Sequence, residues 1–169
     1  MKLHIGGTAP HPDWEILNVT AGPYVDHVGD LRDLARFADG CAEAVYASHV
    51  LEHIPLAEVE PVLRGFGRLL APGGALYVSV PDLETLCRLF LHPGASAEMR
   101  LHVMRMMFGG QVDPHDFHYV GFYEPLLRRM LVAAGFLDVR RVESFGLFPD
   151  TSDYRPYGVA ISLNLVARK

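Results

Sequence analysis

Apolar and polar positions change their period several times along the chain, and the changes divide it into short elements. Lys2 to Ile5 is a brief apolar run that ends in glycines, and Glu15 to Val19 is a second. Tyr24 to Val28 is a weaker third, ending at Gly29-Asp30, and Ala42 to Ala47 has the look of a buried fourth. Leu31 to Phe37 has room for two helical turns. After Pro55 the period lengthens: Leu56, Val59, Val62, Leu63, Phe66, Leu69 and Leu70 recur at helical spacing until Pro72-Gly73-Gly74. Ala75 to Val80 is the clearest strand, closed by Pro81-Asp82. Residues 83–91 and 96–108 read as Leu- and Met-rich helices, 109–121 as a loop, and Glu124 to Ala134 as an amphipathic helix capped by Gly135. Phe136 to Val142 and Val159 to Ala167 are β-rich, with a long connection that suits an antiparallel pair. Strands alternating with helices predict an α/β fold with a mostly parallel sheet and one late reversed strand.

Composition narrows this picture. The 169 residues, half of them hydrophobic and 21% charged, suit one domain spanning 1–169 and exclude a disordered chain. No linker or repeat divides it. A net charge of -5 excludes nucleic-acid binding through bulk charge. No apolar run approaches the roughly 20 residues of a membrane span. The N-terminus lacks a signal-peptide apolar region, and Cys41 and Cys87 have no metal or redox spacing, so a cytoplasmic, reduced, soluble protein is expected.

Nine histidines are present. His115 and His118, with Asp113 and Asp116, have a spacing that could ligate a metal, which would suit a metal-dependent hydrolase. No His-Glu-x-x-His helix accompanies them, and no metal is assigned. No Gly-x-Ser-x-Gly elbow supports a nucleophilic serine. Arg128-Arg129 and Arg140-Arg141 read as solvated or strand-edge charges.

Two segments carry a more specific signal: Tyr46-Ala47-Ser48-His49-Val50-Leu51-Glu52-His53 after the fourth strand, and the succession of helix, Pro72-Gly73-Gly74, strand and Pro81-Asp82. On these the chain resembles class I S-adenosylmethionine-dependent methyltransferases, in particular a short bacterial subgroup of the methyltransferase type 11 kind. The resemblance implies a Rossmann-like, seven-stranded sheet with an antiparallel last strand, and S-adenosyl-L-methionine as cofactor. It places Gly6 and Gly7 at the cofactor turn, with Thr8 where a further glycine is usual. It places Asn18 where a carboxylate usually grips the ribose hydroxyls, and Asp30 with Leu31 near the adenine. Ser48 and His49 fall beside the sulfonium. Asp30 also suits a helix N-cap, and Glu52 and His53 suit pinning of the loop.

The family's first two crossover helices and leading helix are expected to be missing. Only six residues separate Gly7 from Trp14, too few for a crossover helix, and Thr20 to Pro23 is shorter still. One sheet face then has a reduced helix layer and needs another cover. Residues 83–108 are predicted to supply it, with a homodimer as a way to complete it; the alternative is that the short crossovers lie flat across it.

Residues 83–122 form the insertion and lid in this reading. Phe108 to Phe122 is predicted to fold over the cofactor, with Gln111, Asp116 and His118 pointing inward, His118 as first candidate for general base and His49 as second. The function implied is methylation of a small-molecule or glycan-like acceptor. The alternative is a degenerate binding or assembly protein with weak or no cofactor binding.

Overall fold

The computed structural model describes residues 1–169. Its strands are β1 (Lys2–Ile5), β2 (Glu15–Asn18), β3 (His27–Val28), β4 (Ala42–Ser48), β5 (Leu70–Pro81), β6 (Leu137–Val142) and β7 (Ser162–Arg168). Its helices are α1 (Leu56–Leu69), α2 (Leu83–Phe90), α3 (Ala97–Phe108) and α4 (Glu124–Ala133). The strands make one seven-stranded sheet in the order β3-β2-β1-β4-β5-β7-β6. β1 to β5 pair in parallel, while β7 runs antiparallel to both β5 and β6. The expected Rossmann-like architecture with a reversed last strand is therefore present.

Two local expectations fail for physical reasons. Leu31 to Phe37 forms turns, with no helix. Asp30 accepts from the Arg32 amide at 2.8 Å and Asp33 from the Ala35 amide at 3.3 Å, so short acidic side chains compete with helical hydrogen bonding. Leu34 and Phe37 are still buried and join the main core. Likewise α1 is not stopped by Pro72-Gly73-Gly74. It ends at Leu69, and β5 begins at once, running through all three residues with Gly73 at φ 78°.

The sheet has two unlike faces. On one, Leu3, Ile5, Leu17, Val45, Ala47, Leu76, Val78, Val80, Leu163 and Leu165 pack against Val59, Leu63 and Phe66 of α1 and Leu127 and Leu131 of α4 in a single large core. On the other, the intervening positions are His4, Ala44, Tyr46, Tyr77, Ser79 and Asn164. The strands thus alternate apolar with polar or aromatic residues, a pattern usual for a sheet with only one helix-covered face.

That second face is covered by aromatic residues from loops. Trp14 and Phe148 are buried against Ala44 and Tyr46, with Phe145, Leu147 and Tyr77 alongside. Phe148 lies 4.2 Å from the His4 ring and 4.7 Å from the Tyr46 ring, centroid to centroid. The Tyr46 hydroxyl donates to Asp150 Oδ2 at 2.8 Å, tying the β6–β7 connection to the sheet. The expectation that residues 83–108 cover this face is overturned. α2 and α3 pack on each other around Leu86, Leu89, Val103 and Ile161, in a separate small core. They meet the far part of the β6–β7 connection, where Ile161 joins their core and His102 Nδ1 lies 2.8 Å from the Tyr157 hydroxyl. The first crossover does lie flat, as the alternative held, and contributes Trp14. This face is thus packed by side chains from the same chain.

Candidate functional site

The carboxyl ends of the parallel strands open into a cleft of about 680 Å³. Ligands of open α/β sheets bind at this edge, and the volume is that of a small-molecule site. Among the lining residues are Gly6 after β1, Asn18 at the end of β2, and Asp30 and Leu31 after β3. Val50, His53 and Ile54 line it after β4. The last wall is formed by Asp113, Pro114, His115 and Tyr119 from the segment between α3 and α4.

Gly6 stands at φ 79°, and a Cβ on it would lie 2.4 Å from Val50 Cγ1, so both backbone and packing demand glycine. Its amide donates to the Leu17 carbonyl at 2.8 Å, which holds the turn against β2. Asn18 is engaged on both sides. Its Nδ2 donates to the Gly7 carbonyl at 3.0 Å, and its Oδ1 accepts from the Thr20 amide at 2.9 Å. Asn18 therefore braces the two short connections that replace crossover helices. A carboxylate could not make the bond to Gly7. Asp30 is clasped by the Arg32 guanidinium at 2.6 and 2.9 Å. The same Arg32 hydrogen bonds hold the Asp30 carboxyl below the usual carboxylate range.

Three of the expected cofactor residues lie outside the cleft lining. Gly7 is packed against His4, whose ring atoms would lie 2.7–2.9 Å from a Cβ there. Ser48 follows the strand alternation toward the aromatic face, where its hydroxyl has no protein partner. His49 adopts φ 52°, and its Nε2 lies 2.9 Å from Ser162 Oγ. That turn carries it to a second cavity of about 420 Å³, lined in part by Arg105, Met106, Asp116, His118, Thr151 and Tyr154.

The two cavities meet at a cluster that joins His118, the expected general base, to Glu52 and His53, which the sequence suited to pinning the loop. His53 borders the cleft, His118 borders the second cavity, and their rings stand edge to face at 4.7 Å. Beside them Glu52 is completely buried on a 3-10 turn, Leu51–His53. Burial pushes the Glu52 carboxyl up, but the neighbouring His49 and His53 outweigh it and leave the group below its ordinary range. Its closest neighbour is His49 Nδ1, 3.3 Å from Oε1 and too oblique for a hydrogen bond. The His118 ring nitrogen Nδ1 is bound to the Met106 carbonyl at 3.1 Å, and burial lowers the pKa of this histidine.

Residues of the segment Phe108 to Phe122 line both cavities, and they are largely not the ones expected to point inward. Gln111 is exposed and turned back to the Phe108 carbonyl. The Asp116 carboxylate accepts from the Val112 amide at 3.3 Å, so it also shapes its own loop while lining the second cavity. Only His118 points to the buried cluster, and the cleft wall comes from Asp113, Pro114, His115 and Tyr119. His115 and His118 face different cavities and make no common metal pair. Arg141, read as an edge charge, instead bridges Asp82 at 2.9 Å and Glu124 at 3.1 Å, joining α2 and α4.

Known proteins resemble the chain over part of its sequence and in its fold. Residues 16–78 match the family model described as methyltransferase domain. No curated protein matches the chain in sequence. Among solved structures, a SAM-dependent methyltransferase from Archaeoglobus fulgidus aligns over 99% of this chain and 85% of its own, with TM-score 0.63 and 14% identity. A Burkholderia thailandensis 1,6-didemethyltoxoflavin N1-methyltransferase, solved with that compound and S-adenosylhomocysteine, aligns over 99% and 70%, with TM-score 0.60 and 17% identity. A Bordetella parapertussis protein described as a possible exported protein aligns over 99%, at TM-score 0.62 and 14% identity, and the chain spans 61% of its length. At such identities the likeness is one of fold.

Proposed function

Because the resemblance to class I S-adenosylmethionine-dependent methyltransferases is borne out in the matched segment and in the fold, we propose that this protein binds S-adenosylmethionine in the 680 Å³ cleft and methylates a small polar acceptor. The observation that carries the reading is the meeting of Gly6, Asn18, Asp30 and Val50 at the carboxyl edge of four adjacent parallel strands. The cleft residues fit the group: a bare glycine turn permits close backbone approach, and two polar side chains stand at the ends of β2 and β3.

When bound, the cofactor supplies an electrophilic sulfonium methyl group, and the acceptor must lose a proton if its nucleophile is a hydroxyl. The 420 Å³ cavity is the acceptor seat in this reading, and Arg105 and Asp116 suit a polar, glycan-like molecule. His118 is the residue best placed to take the proton. Its Nδ1 is anchored to Met106, which leaves Nε2 free, and its depressed pKa keeps the ring neutral near pH 7. His49, the second candidate, is held by Ser162 and faces Glu52, which suits positioning rather than proton transfer.

A second reading, a binding or assembly protein with a weakened cofactor site, is favoured by the inward engagement of Asn18 with Gly7 and of Asp30 with Arg32. Isothermal titration with S-adenosylhomocysteine separates the two. Methyl transfer predicts one equivalent bound with micromolar affinity, weakened at least tenfold by Asp30→Ala. A folded protein that binds neither S-adenosylhomocysteine nor S-adenosylmethionine would leave the second reading.

A further inference from the structure

We propose that Glu52, His53 and His118 form a binding site for one divalent first-row transition-metal ion, of the Zn²⁺, Fe²⁺, Co²⁺ or Mn²⁺ kind, in the wall between the two cavities. One donor atom from each residue lies within 4.8 Å of the others. A tetrahedral ion with ligands at about 2.1 Å holds them about 3.4 Å apart, so side-chain shifts on the order of an ångström would close the cluster.

The cluster's composition asks for a cation. Glu52 is fully buried, and neither carboxylate oxygen has a hydrogen-bond partner. His49 Nδ1 lies 3.3 Å away without a hydrogen bond, and a buried carboxylate whose lone pairs are unfilled is costly; a coordinated ion would fill them. His53 Nδ1 is also buried without a partner. Two imidazoles and one carboxylate suit borderline divalent ions. They do not suit Ca²⁺ or Mg²⁺, which take oxygen ligands, or thiophilic ions, which take sulfur.

The surroundings have the features of an outer ligand shell. The His118 Nδ1–H donates to the Met106 carbonyl, which fixes the ring and presents Nε2. Ser162 Oγ donates to the Thr151 carbonyl at 2.9 Å and lies 2.9 Å from His49 Nε2, which fixes the His49 ring beside Glu52. The Tyr119 amide donates to the Glu52 carbonyl at 2.7 Å, fastening the loop that carries His118 to the turn that carries Glu52 and His53. Three protein ligands with cavities on both sides leave a coordination position open to a ligand, the arrangement of a catalytic rather than a structural site. The metal site does not depend on the methyl-transfer reading. It competes with one part of it, since a metal on His118 Nε2 removes that atom as a proton acceptor.

The test uses tag-free protein stripped with a chelator and titrated with Co²⁺, then with Zn²⁺, followed by calorimetry, visible absorption and thermal melting. One equivalent of Co²⁺ should bind, with d–d absorption bands and a raised melting temperature. His53→Gln and His118→Gln should each lower Co²⁺ affinity at least tenfold and alter the bands while the far-ultraviolet circular dichroism stays unchanged. His92→Gln, at an exposed position just after α2, should change nothing. Absence of binding by the folded wild-type protein would overturn the site, as would stoichiometric binding that survives both substitutions.

Discussion

The two faces of the sheet bury their residues by different physics. The α1/α4 face is a continuous aliphatic core in which Leu3, Val45, Val78 and Leu163 are fully buried against helices. The opposite face is held by a few rings and hydrogen bonds: Trp14, Phe148 and Phe145 over His4, Tyr46 and Tyr77. It also keeps polar atoms without protein partners, namely His4 Nδ1, Ser79 Oγ and Asn164 Oδ1. A helix layer can cover a smooth apolar surface with repeated side chains. A loop reaches fewer points, so this face depends on large aromatic groups and fixed polar ties. A doubly wound sheet can therefore dispense with helices on one side when its strands carry this mixed pattern there.

Substitutions should expose the contrast. Phe66→Ala in α1, with a fully buried side chain, should cost about 4 kcal/mol, while Phe148→Ala should cost about 3 kcal/mol because its loop can partly collapse into the gap. Urea unfolding midpoints measure both, and a larger loss at Phe148 would show that the aromatic cover is the more rigid of the two. The pH dependence should come next in size and belong chiefly to the aromatic face. Burial pushes His4 down to about 4; Asp150 pulls it up and His11 pushes it further down. The folded state thus prefers neutral His4. Its contribution is full above the ordinary value of 6.5 and is lost as pH falls from there toward 4. Between pH 7 and 5 the loss should be about 2 kcal/mol, and His4→Leu should flatten that limb of the stability curve. The smallest effect is expected from Tyr46→Phe, which removes the hydroxyl bonds to Asp150 and Ser152 at a cost of about 1 kcal/mol by chemical denaturation.

Much of the fold was legible because strands and helices repeat on short periods. The run Leu56 to Leu69 and the strand at Ala75 to Val80 declare themselves by spacing alone. The aromatic cover was hidden although its signal was available. His4, Tyr46, Tyr77 and Asn164 stand one each on β1, β4, β5 and β7, at the positions that alternate with the aliphatic core, and Phe145, Leu147 and Phe148 cluster in the connection before the last strand. Reading these together points to the β6–β7 segment, whereas a Met-rich helix pair looked the larger apolar resource. At the site, Gly6, Asn18, Asp30 and Leu31, which the resemblance picked out at strand ends, do line the cleft. Asp113, Pro114, His115 and Tyr119 were missed, because nothing local says which residues of a loop turn inward.

By itself the sequence determined the order of the elements, the polarity of each strand face and the strand ends that frame the cleft. These follow from side-chain alternation and helical spacing, which act over a few residues. Only the tertiary structure decided that Asp30 would meet Arg32, that Phe148 would stack on His4, and that His118 would come to Glu52 and His53. The last two join positions far apart in the chain. They depend on the path of irregular segments, whose backbone is set by the packing they find rather than by any period of their own.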